Sequence, residues 1–404
     1  MGSQFSGKVL ILSRNYPNNV TPILGLWVEG LVRHLSKICD LRVIAPSPYC
    51  PPFVGVGGFS KFRQVKRRES TNGVEVFHPK FLTGPGNSAY NFEACTYYWS
   101  IRRHVDRLRR EFPFNLVHAN FGYPDGVVAA RLARRYNVPF LITEHASWLP
   151  WMNDYPKARR QAVSAASQCA FHIAVSRYAR DTVAHFTGDT EKLRVIPNGV
   201  DVSVFTCPQN GSERKLTQIL YVGLMRHVKG IDLLLKAMRK LVNQNPALKL
   251  VLVGGGIYRD YFKQETELRR LAQELGLENN VEFVGIKSPQ EVAAYMRESA
   301  VLVLPSRNET FGAVLIEALA CGTPVVATRC GGPEDIVIKE VGRLIPKEDV
   351  TALAQAIAAV IAERQKYETE QLRDYVLKNF SWEQIAHQTV ALYREAINKI
   401  GGSH

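Results

Sequence analysis

Two glutamates, Glu309 and Glu317, stand eight residues apart around Thr310, Phe311, Gly312, Ala313 and Val314. The apolar run 301–304 precedes them, and a stretch rich in alanine and leucine leads on to a second apolar run at 324–327. The order reads as buried strand, tight loop, helix start, helix and strand. Backbone N–H groups at Phe311 and Gly312 would then lie free at a positive helix terminus, where a phosphate is well placed. One glutamate in the loop and one a helical turn or so inside can accept hydrogen bonds from separate hydroxyls of one ligand. By spacing alone, an ordinary helix start whose acids favour the dipole fits equally well.

Other residues of chemical interest cluster at strand ends. Arg226 and Lys229, in the run from Gly223 to Gly230, put two cations three residues apart before a helix. They could neutralise a diphosphate or simply decorate a surface turn. Gly254, Gly255 and Gly256 follow a strand and permit close backbone approach to a ligand, or make a plain turn. Gly285 and Ile286 follow a third strand. His145 closes the strand before it, as do His118 and Asn120 theirs; a lone histidine in such a place is more often structural. His172, inside an apolar strand, suits the core.

The elements that must position these residues alternate from the start. Strands are expected at 8–13, 41–45, 74–77, 116–119, 140–143 and 171–175, with helices between them, the first from Leu26 to Lys37. Residues 46–73, rich in Pro, Gly, Lys and Arg, read as a long loop of the kind that serves as a lid. A polar stretch at 206–215 suggests a domain boundary. A second βα series follows, with strands at 218–222, 248–253, 281–284, 301–304, 324–327 and 343–345, and a final amphipathic helix over 381–397. Strands alternating with helices imply an α/β chain with two parallel sheets. Two such domains in tandem would face each other across a cleft, the default ligand site.

The chain has 404 residues, 46% of them hydrophobic, enough for two sizeable cores. Seven scattered cysteines without a CxxC pair read as reduced thiols of a cytoplasmic protein, not a disulfide frame or zinc site. No signal peptide or membrane span is evident. The net charge of +14 is uneven: residues 1–206 hold 26 Lys+Arg against 14 Asp+Glu. No recognised nucleic-acid motif accompanies that excess. A solvated surface, or a face for anionic membrane lipid or an acidic acceptor, accounts for it.

Taken in order, these stretches resemble the retaining glycosyltransferases of family 4. The resemblance runs through Ile196–Asp201, Gly223 to Gly230, Leu252–Gly256, Val281–Gly285 and Leu304–Ser306. It continues through the Glu309/Glu317 element to Gly331-Gly332 and Phe380–Trp382. It implies the GT-B fold, two Rossmann-like domains facing a central cleft. These are an acceptor-binding domain over 1–206, a nucleotide-sugar-binding domain over 207–380, and a helix over 381–404 that packs back on the first. It also implies roles. Glu317 would hold ribose hydroxyls and Glu309 the donor sugar. The N–H groups of Gly312, Ala313 and Val314, with Lys229, would hold the diphosphate. Ile286 would read the base by its backbone, Gly254 and Phe311 would line the donor site, and Gly25 would lie near the phosphates. His145 would contact the donor sugar beside the reacting carbon. Many members read Gly-Arg-Leu where this chain has Gly223-Leu224-Met225, so Arg226 stands for the usual arginine two residues later.

The expected activity is metal-independent, retaining transfer of a sugar from a nucleotide-sugar, most simply a UDP-sugar and next GDP-mannose, with no cofactor. The acceptor would be a hydroxyl of a lipid-linked molecule or polysaccharide of the cell envelope, met in the cytoplasm or at the inner membrane face. Tyr16, Trp27, His118 and Asn120 are the acceptor candidates; these aromatics suit a core equally. An epimerase or phosphorylase on the same fold, and a non-catalytic basic module that binds membranes, are the alternatives.

Overall fold

The computed structural model describes residues 5–52, 56–84, 89–145, 151–208, 215–255 and 259–401. The chain divides into two compact units, one of Met1–Asn198 with Trp382–His404 and one of Gly199–Ser381. Residues 199–206, which the sequence placed with the first half, pack in the second unit. There Val200 bridges to Ser381, and the Arg373 guanidinium donates to the carbonyls of Val202 and Phe205.

In the first unit, β1 (Lys8–Leu12), β2 (Asp40–Ile44) and β5 (Val74–Phe77) lie on one side of the chain's first crossover. β7 (Leu116–Asn120), β8 (Phe140–Glu144), β9 (Phe171–Ala174) and β10 (Leu193–Val195) lie on the other. The sheet order is β10-β9-β8-β7-β1-β2-β5-β4, parallel except where β4 (Arg68–Thr71) pairs antiparallel with β5. Successive residues of β1 feed different cores. Val9 and Ile11 pack on one face, Leu10 and Leu12 on the other. That two-sided burial is why the strand is an unbroken apolar run.

One face carries α2 (Tyr90–Glu111), α3 (Val127–Tyr136) and α4 (Pro156–Gln168), and α5 (Arg177–Thr187) follows β9. The other carries α1 (Leu26–Leu35), whose Val28, Leu31, Val32 and Leu35 form its buried stripe. Against α1 lies α12 (Trp382–Gly401), the last helix of the chain. Its Trp382 indole fills the space a side chain at Gly30 would need, with ring atoms 2.7 Å from where a Cβ would stand.

The stretch 46–73 is not one long loop. Its described part holds β3 (Ser47–Pro48), paired with β6 (Lys80–Phe81), a 3-10 helix over Val56–Gln64, and β4. Asn72 and Gly73 join β4 to β5 with φ of 52° and 77°. That Asn-Gly pair is a two-residue hairpin signal the composition of the stretch masked.

The second unit has six parallel strands. They are β11 (Lys215–Val222), β12 (Lys249–Val253), β13 (Val281–Gly285), β14 (Ser299–Leu304), β15 (Val325–Thr328) and β16 (Gly342–Ile345). Helices α6 (Ile231–Gln244), α7 (Arg259–Glu274), α8 (Pro289–Glu298), α9 (Ala313–Ala320), α10 (Val350–Ala362) and α11 (Thr369–Phe380) connect and cover them. The order β13-β12-β11-β14-β15-β16 reverses direction between β11 and β14. In an open parallel sheet that reversal opens a crevice beyond the strand ends. The loops leaving β11 and β14 carry Arg226, Lys229 and Glu309.

Candidate active site

The crevice of the second unit is built from four strand ends. Gly254 makes the approach of two of them possible. Its φ is 130°, and a Cβ there would lie 1.9 Å from the Gly223 carbonyl oxygen. Gly230, with φ of 67°, does the same for the β11 and β14 loops, since a Cβ would meet the Pro305 oxygen at 2.0 Å. Gly254, which the sequence marked for close approach to a ligand, thus first serves close approach of loop to loop.

At the head of α9, Gly312 caps the helix in the left-handed region with φ of 97°. The first amide in this turn with an intramolecular acceptor is that of Leu315, which donates to Gly312 O at 2.9 Å. Among the described residues the amides of Gly312, Ala313 and Val314 meet no acceptor. Three free N–H groups at a helix N-terminus form an anion cradle. The Phe311 ring is buried and sits 6.2 Å from Phe380, so it anchors the loop and contributes to the crevice only through its backbone.

Glu317 lies on the same helix, partly buried, and among the described residues no donor reaches its carboxylate. Burial pushes that carboxyl up to about 7. Glu309 is different. Its Oε2 accepts from Lys229 Nζ at 2.6 Å and from Ser306 Oγ at 3.2 Å. The structure therefore joins Lys229 and Glu309, which the sequence assigned to separate parts of a ligand. Arg226 is exposed where a short turn over His227–Lys229 begins. Ile286 is 54% exposed and lies beside Gly255, as expected of a rim residue.

Arg307 is the residue sequence reasoning missed. Its guanidinium donates to both Asp232 carboxylate oxygens at 2.8 Å, to the His227 carbonyl at 2.6 Å and to Glu348 at 2.7 Å. Its amide donates to Val228 O at 2.8 Å. One side chain thus ties the Lys229 turn to the Glu309 loop. Burial works against ionised Asp232, but Arg307 holds its carboxyl below the ordinary value. Glu348 takes part from a left-handed backbone, φ of 61°, uncommon for a residue with a side chain. The only hint in the sequence is an arginine directly before the Asn308-Glu309 pair.

In the first unit, His145 follows β8. Its Nε2 meets Asn120 Oδ1 at 3.1 Å, while Asn120 Nδ2 donates to Leu12 O at 3.4 Å. That network assigns the proton to Nε2. Among the described residues Nδ1 is left as a buried acceptor with no partner at hydrogen-bonding distance, although the Asn198 side chain lies close enough to act on the ring. Burial, reinforced by neighbouring His118, pushes the ring down to about 3, so it is neutral at working pH. Trp27 lies 6.2 Å away, and its Nε1 is likewise buried without a partner among the described residues. Phe121 packs on the other side with a strained φ of 100°.

The other first-unit candidates are less open. His118 is fully buried, with Nδ1 bonded to the Tyr393 hydroxyl at 2.6 Å and Nε2 to Thr143 Oγ1 at 2.7 Å. Tyr16 is 3% exposed among the apolar residues between β1 and α1. Both pack as core, and the two ring nitrogens of His118 are engaged by protein groups. Gly25 caps α1 with φ of 78°, and a Cβ there would strike Asn15 O at 2.1 Å.

Comparison with known proteins agrees with this architecture. Residues 24–204 match the family described as Glycosyltransferase Family 4, and residues 206–376 that described as Glycosyl transferases group 1. The D-inositol 3-phosphate glycosyltransferase of Corynebacterium efficiens is 30% identical over 70% of this chain and 72% of its own. An uncharacterized glycosyltransferase of Methanocaldococcus jannaschii is 26% identical over 98% and 100%. Among solved structures, sucrose-phosphate synthase from Thermosynechococcus elongatus superposes with a TM-score of 0.78 at 23% identity, covering 96% and 98% of the two chains. Anabaena HepE in complex with UDP and glucose gives 0.73 at 20%, covering 96% and 100%. The chain belongs to the family 4 and group 1 glycosyltransferases and has the GT-B fold. It is a glycosyltransferase.

Proposed function

We propose that this enzyme transfers a sugar, with retention, from a nucleotide-sugar held by the second unit to an acceptor hydroxyl. The observation that carries this reading is the head of α9: three amides and a Glu317 carboxylate that meet no partner among the described residues, with Lys229 and Glu309 on the neighbouring loops. The amides, Lys229 and Arg226 take the diphosphate, and Glu317 accepts from the ribose hydroxyls. Ile286 and Gly254 border the base and diphosphate. Solved neighbours of this fold bound to UDP and to UDP-glucose support a UDP-sugar; GDP-mannose is the second candidate.

In the transfer, the bond from anomeric carbon to diphosphate oxygen breaks and its electron pair stays on the nucleoside diphosphate. The acceptor oxygen bonds to the same face of that carbon, and its proton passes to the departing phosphate oxygen. Preorganised donors at the departing charge are commonly worth several kcal/mol of barrier. These roles fall to protein groups, without a resident metal or cofactor. His145 offers its neutral Nδ1 to a donor-sugar hydroxyl, and Gly25 borders the phosphates. Trp27 and Asn120, next to His145, mark the acceptor side; the acceptor is a glycan or lipid-linked molecule of the cell envelope, reached from the cytoplasmic face of the membrane.

A thermal-shift screen of the whole chain against UDP-, GDP- and ADP-sugars tests the donor. One diphosphate sugar should raise Tm by several degrees, and Lys229→Ala should abolish the shift. If none shifts Tm, the reading fails. The anomeric configuration of the isolated product then tests retention.

A further inference from the structure

The outward line of α2 runs Phe92, Thr96, Trp99, Arg103, Arg107, Arg110, at spacings of three and four residues. Phe92 is 56% exposed and Trp99 62%, and the three arginines are exposed. A solvated helix face carries polar residues along such a line. Here the first half is aromatic and the second half cationic. The apolar half is wider than the helix. Thr96 Oγ1 donates to Leu82 O at 2.6 Å, which sets the 61% exposed Leu82 beside it.

Cations border the aromatic rings directly. The Arg102 guanidinium lies 4.6 Å from the Trp99 ring centre, and Lys157 Nζ lies 4.9 Å from that of Phe92. The acids of the helix add little free negative charge to the line, although Asp106 lies on the same face as Arg103 and Arg110. Glu93 is buried against Arg14, and Asp106 is paired with Arg135; only Glu111, the last residue, is exposed. A convex, unpaired helix face offers no pocket for a sugar. Exposed aromatic and aliphatic side chains ringed by Lys and Arg match an interface that is apolar below and anionic at its surface. Among the described residues no helix is long and apolar enough to cross a membrane, so attachment would lie in the interface plane.

We propose that this face of α2 docks the enzyme on an anionic lipid bilayer, with Phe92, Trp99 and Leu82 inserted among the headgroups and Arg103, Arg107 and Arg110 on lipid phosphates. This deepens the membrane-face reading above and is independent of the donor assignment. The test is co-sedimentation of the full chain with vesicles of phosphatidylcholine alone or mixed equally with phosphatidylglycerol. Binding is expected only to the mixed vesicles and should fall with salt. Phe92→Ser with Trp99→Ser should weaken it at least tenfold, as should Arg103→Glu with Arg107→Glu. The Tm and its shift with nucleotide should not change, which separates this failure from failure of the donor reading. Bromine-labelled lipid should quench tryptophan emission, and Trp99→Phe should remove most of that quenching. Absent binding to mixed vesicles, binding unchanged in both double variants, or equal binding to soluble polyglutamate would overturn the proposal.

Discussion

In each sheet the order of the parallel strands turns back at one crossover, between β1 and β7 in the first unit and between β11 and β14 in the second. The crevices beyond those points are treated in opposite ways. In the first, the chain fills most of the space with its own groups, although among the described residues His145 Nδ1 and Trp27 Nε1 find no partner. Arg14 N donates to both oxygens of buried Asp125 at 3.0 and 3.2 Å, and the Arg14 guanidinium pairs with buried Glu93 at 2.5 Å. Burial pushes Asp125 up to about 7 even with Arg14 opposing. In the second, the amides of α9 and the Glu317 carboxylate stay open among the described residues, and the ion pair of Lys229 with Glu309 crosses the space. Polar groups that satisfy one another hold a fold together. Polar groups left unsatisfied are held ready for a ligand.

The sharpest test of that contrast is substitution at each place. Glu309→Ala or Lys229→Ala should lower kcat by about 100- to 1,000-fold or more on the true donor while the fold persists, judged by circular dichroism. Wild-type turnover in either variant would remove the second crevice from the chemistry. Arg14→Ala should instead act on stability. It leaves Glu93 buried without its cation and should cost on the order of 3 kcal/mol in urea unfolding. An unchanged midpoint would mean that the first crevice is not held closed by this network.

A smaller effect is expected at Arg307, which touches no ligand. Arg307→Ala should lower kcat by about tenfold with little change in KM, because it loosens the register of Lys229 against Glu309. Arg307→Lys restores the charge but not the fork and should recover only part. A loss confined to Tm would make Arg307 merely structural.

The smallest expected effect is in pH. With its folded value at about 7, Glu317 is largely protonated at pH 6 and ionised at pH 8. Ribose hydroxyls donate better to the carboxylate, so calorimetry should show UDP affinity rising several-fold across that range. His118 and His145, both pushed down to about 3, stay neutral throughout and contribute nothing to the slope. Glu317→Gln should flatten it.

The second crevice was legible in the sequence because a ligand dictates its local pattern. Free amides need a strand, a tight turn and a helix in fixed order, and Glu309 to Glu317 is short enough to show that order. Gly254 and Gly230 were equally visible, although the first thing each approaches is another loop. The first crevice was not legible. Arg14, Glu93 and Asp125 are far apart in the chain and meet only through β1, α2 and the turn after β7. His118 at a strand end looked like a site residue, and only the arrival of Tyr393 from α12, 275 positions later, shows it as a bonded core group. Arg307 was missed for the same reason: its partners Asp232 and Glu348 lie 75 and 41 positions away.

The placement of α12 has a consequence for synthesis. The second unit is continuous, so all of it exists once Ser381 has been made. The first unit begins at the start of the chain but still lacks Trp382 against Gly30 and Tyr393 against His118 until the final helix emerges. A chain made only as far as Ser381 would hold every residue of the second unit and leave an open face on the first. The half of this enzyme begun first is the half finished last.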